Sequence, residues 1–236
     1  MIVTTLHAAP TSAPSSTSAA RAPIVALSDA LVKGEHGPVF GPLTATSDRP
    51  VTAIVGTRGS GRTSLLLSIA GRMRLHEGEL ETLGTAKLGE IRRLTGIAGF
   101  EAIDALEPQV TVADILRERL SWALPWYRRV PRITQELAAE LLEPAFGSLP
   151  LIPIETLVRD LDPASEQLLR IGLALLEEPE LLVLDDFDAL RDPADRDLLA
   201  ERLTALAGRG IRTVLATSDP GDVERFAALE PAVIAL

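Results

Sequence analysis

The chain has 236 residues, no cysteine, a formal net charge of −10 and 46 % apolar residues with few aromatics. Without cysteine there are no disulfides or thiolate metal sites, and the acidic balance argues against nucleic acid as a partner, because phosphate backbones demand basic surface. The length suits one large α/β domain, no run of eighteen apolar residues offers a bilayer span, and the first residues lack a signal peptide's basic start and apolar core, so a cytoplasmic protein is expected.

Residues 1–22 form the expected disordered tail, since His7 through Ala22 are Ala, Ser, Thr and Pro with one arginine and bury too little to repay ordering. Order is expected from 23 to 236. Pro23–Leu27 reads as an edge strand, and Val39–Thr46 as a second strand broken by Pro42. Asp48-Arg49-Pro50 then turns the chain into the apolar strand Val51–Val55.

Gly56-Thr57-Arg58-Gly59-Ser60-Gly61-Arg62-Thr63-Ser64 follows directly, and after it Leu65–Ala70 reads as helix, ending near Gly71. Strand, glycine-rich loop and helix is the context of a phosphate-binding P-loop. The glycines let backbone N–H groups turn inward around an anion, and the helix N-terminus adds its partial positive charge. The lysine usual in such loops is replaced by Arg62, in a chain whose 23 basic residues include only Lys33 and Lys87 as lysine.

Glu79–Leu83 and Gly96–Phe100 read as further strands. Between about 105 and 160 the periodicity turns helical, at Val112, Ile115, Leu116 and Leu120 and again from Ile133 through Leu142. Prolines 125, 131, 144, 150 and 153 cut this insertion into short pieces. Trp122, Trp126 and Tyr127 gather in it, suited either to core or surface packing or to a groove for a partner's helix; Arg128, Arg129 and Arg132 read as a solvated face that could also lie near anionic lipid.

The α/β pattern then resumes. Ala164–Leu176 is an apolar helix, and Leu181–Leu184 a buried strand ending in Asp185 and Asp186. Set beside the P-loop strand, it would carry Asp185 to a Mg²⁺ ion held with Thr63 and nucleotide phosphates. Pro193 opens a helix, Thr213–Ala216 is a strand, and a helix near Asp219–Leu229 leads to the last strand, Ala232–Leu236. The alternation predicts a mainly parallel sheet covered on both faces.

From about 24 to 236 these pieces, in this order, resemble the nucleotide-binding domain of the ATP-binding-cassette (ABC) transporter family. Asp185-Asp186-Phe187-Asp188-Ala189-Leu190-Arg191-Asp192-Pro193 is similar to its Walker B and D-loop segment, Val110-Thr111-Val112 to the start of its helical subdomain, and helix 164–176 with Glu178-Pro179-Glu180 to its signature helix. The resemblance implies a P-loop NTPase core with an N-terminal antiparallel β portion and an inserted helical subdomain. It implies ATP and Mg²⁺ as cofactors, with Gly56 to Ser64 around the phosphates and Thr63 and Asp185 on the metal. It also implies a homodimer or heterodimer with another cassette, coupled to a membrane permease at the inner face of the plasma membrane.

The departures are systematic. The family's signature, Leu-Ser-Gly-Gly-Gln, aligns with Leu161-Asp162-Pro163-Ala164-Ser165, where Asp162 brings negative charge towards a partner's phosphate and Pro163 has no N–H. The catalytic glutamate becomes Asp186, the Q-loop glutamine falls on Glu101 and the switch histidine on Ser218. No tyrosine precedes the P-loop for stacking on adenine, which leaves His36 as the nearest planar residue. Misplacing a reacting atom by about 1 Å can cost about 10²-fold, so the expectation is binding with weak or slow hydrolysis. The rival expectation is a catalytically inactive scaffold or regulatory subunit of a membrane complex.

Overall fold

The computed structural model describes residues 23–236; the expected tail, 1–22, lies outside the described residues. The first two strands, β1 (Val25–Gly34) and β2 (Gly37–Ser47), pair antiparallel around a turn at Glu35-His36. β4 (Glu77–Thr82) joins on the other side of β1, giving a three-stranded sheet in the order β2-β1-β4. The expected edge strand is therefore the central one. Its burial explains why: Val25 and Leu27 alternate inward, and then Ala30, Leu31 and Val32 are buried in succession across a register shift. Pro42 does not break β2 either. As an edge strand β2 tolerates a residue without an N–H, because one side of its ladder has no partner to lose.

The second sheet is parallel, in the order β5-β6-β7-β3-β8. Its strands are β3 (Val51–Val55), β5 (Thr95–Ala98), β6 (Leu181–Leu184), β7 (Arg212–Thr217) and β8 (Ala232–Ala235). Alternate residues serve opposite faces, as period-two geometry requires. Ile54, Leu181, Val183, Val214 and Ala216 pack towards the antiparallel sheet and helix α1 (Arg62–Ile69). Val51, Ala53, Leu182, Leu184 and Leu215 pack towards the helices of the other face. Both faces are thus dry, which is why the strands read as unbroken apolar runs.

On that second face lie α5 (Gln135–Phe146), α6 (Pro163–Leu175) and α7 (Pro193–Gly208). The short α2 (Leu88–Leu94) and α3 (Glu101–Asp104) flank β5, and α4 (Val112–Ala123) opens the helical insertion. Thr111 and Asp114 close a capping box at its start, each side chain taking the other residue's backbone N–H. Pro144 sits inside α5 and does not cut it; the helix runs only two residues further, so one lost hydrogen bond is tolerated. Two other differences follow from tertiary order. Pro220–Leu229 is a run of 3-10 turns, in keeping with apolar residues at Val223, Phe226 and Leu229, every third position. And β7 lies between β3 and β6, so the strand carrying Asp185 is not the P-loop strand's neighbour.

Candidate functional site

The glycine-rich loop leaves β3 at its C-terminal end and closes onto α1. Gly59 and Gly61 hold φ of +83° and +92°, the left-handed region that glycine reaches without strain. At Gly61 the requirement is also spatial: a Cβ would run into the Val39 carbonyl oxygen and stand 2.8 Å from Phe40 Cβ. The loop is therefore seated against β2. Gly56 N–H donates to the Thr217 carbonyl at 3.2 Å, tying the loop's entrance to the end of β7.

Arg62 opens α1, and its side chain is only 7 % exposed. The guanidinium reaches two carboxylates beyond the end of β6: Nη1 lies 3.6 Å from Asp188 Oδ1 and Nη2 lies 3.9 Å from Asp186 Oδ1. Neither distance is a hydrogen bond. Arg62 Nη1, Asp188 Oδ1 and the Ser60 hydroxyl are all buried with no hydrogen-bond partner among the described residues. The Ser60 hydroxyl and the Arg62 guanidinium are orphaned donors at the mouth of α1 and suit an anion, since buried polar groups are normally satisfied. The Asp188 oxygen opposite them, from the end of β6, is an acceptor.

Thr63, at the next position, is exposed, and its hydroxyl lies beside the Asp185 carboxylate. Burial raises the Asp185 carboxyl above the ordinary aspartate range, the neighbouring Asp186 charge adds to this, and the Thr63 hydroxyl and Arg62 work against it. The β6 strand thus delivers Asp185 to the loop across the intervening β7. Asp186 follows in a left-handed conformation, φ +47°, with an exposed side chain. Its N–H donates to Asp185 Oδ1 at 2.9 Å.

Ser218, at the end of β7, donates its hydroxyl to Asp188 Oδ2. Burial pushes the Asp188 carboxyl up, but the Ser218 hydrogen bond and the Arg62 charge outweigh it and hold it below the usual range. Asp188 was not among the residues singled out from the sequence as part of the site. The only signal for it there was its place in an acidic run. The segment behind Ser218 is pinned by the fully buried Asp222, which accepts from Thr217 Oγ1 at 2.6 Å and from Arg196 and Arg225 at 3.1 Å each.

Of the remaining sequence candidates, Glu101 shares a cavity of about 350 Å³ with Asp186, and none is hydrogen-bonded to the cluster. Glu101 is exposed at the start of α3. Behind it, Asp104 accepts from Gly99 N–H at 2.9 Å and from Arg170 Nη2 at 3.1 Å, a buried ion pair that fastens the loop after β5 to α6. Burial raises the Asp104 carboxyl above its ordinary range in spite of Arg170. Asp162 caps α6, accepting the Ser165 N–H at 2.9 Å, with Pro163 in the first turn. His36 lies in the exposed turn between β1 and β2. The aromatic cluster is not core: Trp122, Tyr127 and Trp126 are exposed, the last at 95 %. Arg119 stacks over the Trp122 ring at 5.1 Å, and Trp122 lines an open cavity of about 1000 Å³ with Ile103, Arg117, Arg119 and Val130.

Sequence comparison agrees with this geometry. The ABC transporter family profile matches residues 45–189. The Nod factor export ATP-binding protein I of Rhizobium johnstonii is 30 % identical over 174 residues, 73 % of this chain and 54 % of that protein. The phosphonates import ATP-binding protein PhnC 1 of Rhodopseudomonas palustris is 27 % identical over 188 residues, 75 % of this chain and 65 % of its own length. The chain spans about half the length of the first of these relatives. Among solved structures, a nucleotide-free ATP-binding cassette from an ABC transporter aligns with a TM-score of 0.71 at 18 % identity, over 90 % of this chain and 88 % of that one. Motif order, fold and profile converge: this chain belongs to the ABC transporter family.

Proposed function

We propose that the chain is the ATP-binding subunit of an ABC-type transporter, with a site that binds Mg-ATP and hydrolyses it weakly or slowly. The observation that carries this is the buried, unpartnered Arg62 Nη1 at the N-terminus of α1, beside the unpartnered Ser60 hydroxyl. The backbone from Gly56 to Ser64 and the Arg62 guanidinium would hold the phosphates, through inward N–H groups, the helix N-terminus and a planar fork of donors. Thr63 and Asp185 suit Mg²⁺, which binds through one or two protein oxygens together with phosphates and water. Bound there, the ion would neutralise phosphate charge. Weak turnover follows from the residues at the other positions. Asp186 points an exposed, shorter carboxylate out of a left-handed turn, and the Ser218 hydroxyl is already committed to Asp188.

The expected partners are a second cassette, identical or not, and a membrane permease. The relatives named for export and import support that assignment, and the aromatic-lined cavity beside α4 is a surface on which a permease's cytoplasmic segment would fit. No helix among the described residues is long and apolar enough to cross a membrane, so the chain would sit peripherally on the cytoplasmic face through that permease. Equilibrium binding of ATP with and without Mg²⁺, beside Arg62→Ala and Asp185→Asn, tests the proposal. Saturable Mg²⁺-dependent binding weakened by both substitutions is expected; no binding at millimolar ATP overturns it. One observation favours a second reading, an inactive scaffold: Asp162 spends its carboxylate on capping its own helix. That reading predicts that Arg62→Ala leaves complex assembly untouched.

A further inference from the structure

Two positions where the chain departs from the family's pattern, Arg62 and Ser218, contact the same side chain, Asp188. The three residues come from three separate strand ends. Arg62 follows β3, Asp188 follows β6 and Ser218 follows β7. Asp188 is only 11 % exposed in its side chain and is fixed by one oxygen to Ser218, while its other oxygen faces Arg62 without completing a hydrogen bond.

Resting on the ATP-binding reading above, we propose that Asp188 is a specificity-determining residue that competes with the nucleotide's phosphates for Arg62 and holds the ligand-free loop closed. The physics is a contest for one guanidinium. Arg62 and Asp188 face each other at 3.6 Å, close enough for attraction and too far for the charge-assisted hydrogen bond that would make the pair strong. A phosphate meets Arg62 with a bidentate geometry that Asp188 does not achieve, so phosphate wins the donor. The loser is then an anionic carboxylate, still pinned by Ser218, left beside added negative charge. That cost is subtracted from the affinity of any phosphate ligand and grows with its net charge, so it weighs more against ATP without Mg²⁺ than against Mg-ATP, whose metal neutralises part of the charge. The carboxyl's position below the usual aspartate range agrees with its being charged in the ligand-free protein.

The test uses the whole chain with Asp188→Asn, which keeps shape and an acceptor for Ser218, and Asp188→Ser, which guards against a packing effect of the amide. Two readouts are taken: hydrogen exchange of amides 57–63 in the protein without nucleotide, and the Kd of Mg-ATP and of ATP without Mg²⁺ by calorimetry. Both variants are expected to exchange faster in the loop and to bind Mg-ATP about tenfold to a hundredfold more tightly, the range of one charged interaction, with a larger gain for ATP without Mg²⁺. Unchanged exchange overturns the closed loop, and unchanged or weaker Mg-ATP binding by both variants overturns the competition. If neither the natural chain nor the variants bind nucleotide at millimolar concentration, it is the ATP-binding reading that fails; the exchange result still decides whether Asp188 closes the loop.

Discussion

The loop after β3 and the segment before α6, which the family resemblance pairs around a phosphate, use their polar groups in opposite ways. The P-loop keeps its backbone: Gly59 and Gly61 still hold positive φ, and buried donors and acceptors around Arg62 remain unpartnered. The segment before α6 has turned its polar groups inward on itself, with Asp162 accepting the Ser165 N–H and Pro163 contributing no donor. One loop holds buried donors open for something outside the chain; the other spends one Asp162 oxygen on its own helix and has no N–H at Pro163. The lesson is that a substitution is better judged by what the new side chain is already bonded to than by its difference from a motif. Arg62 and Asp162 both depart from the pattern, but Arg62 keeps a buried donor without a hydrogen bond, whereas Asp162 is an acceptor already engaged by its own helix.

The largest expected effect lies in what anchors α6. Asp104 and Arg170 are buried against each other, and removing one partner of such a pair leaves a bare buried charge at a cost of about 3–5 kcal/mol. Asp104→Ala should lose that much in chemical denaturation, whereas Asp104→Leu with Arg170→Met should recover most of it. There is also a pH signature. Burial raises the Asp104 carboxyl, so its contribution to stability is full below the ordinary aspartate value of about 3.9 and is lost as pH rises through the raised value. The alanine variant should lack this component of the slope. A single Asp104→Ala as stable as the natural chain would show that α6 needs no such anchor.

Next comes the P-loop itself, where two glycines share a conformation but not a neighbourhood. Gly61→Ala meets both the left-handed penalty and a collision with the Val39 carbonyl, for a loss of about 2–4 kcal/mol. Gly59→Ala has open space around its Cβ and should lose only the conformational part, about 1–2 kcal/mol. Thermal unfolding of the pair measures the difference. Equal losses would mean that the loop is not seated on β2.

Local features of both regions were legible in the sequence. Val51–Val55 is a strand with the bounds read from its composition, and Asp185 stands at the end of a buried strand as the apolar run before it suggested. What was not legible is long-range. That β7 separates β3 from β6, or that Arg62 meets Asp188 across 126 positions of sequence (188 − 62), is decided by which strands pack together, and no local pattern encodes it. Pro42 and Pro144 misled for a related reason: whether a missing N–H matters depends on whether that position has a partner, which is a property of the sheet edge or of the helix end.

The smallest effect is the one that separates the two loops most cleanly. Asp162→Ala removes an N-cap and should cost about 1 kcal/mol, read as a small drop in the denaturation midpoint. Asp162→Ser keeps an acceptor for the Ser165 N–H and should restore nearly all of it. If Asp162 serves only its own helix, neither variant changes Mg-ATP affinity, because the carboxylate is already spent within the chain. If instead Asp162→Ala tightens nucleotide binding or promotes nucleotide-dependent dimerisation, its charge was being felt by a phosphate, and the segment before α6 still faces a site. The stability change and the binding change answer different questions, so the same two proteins distinguish a loop that has become structure from one that remains part of an interface.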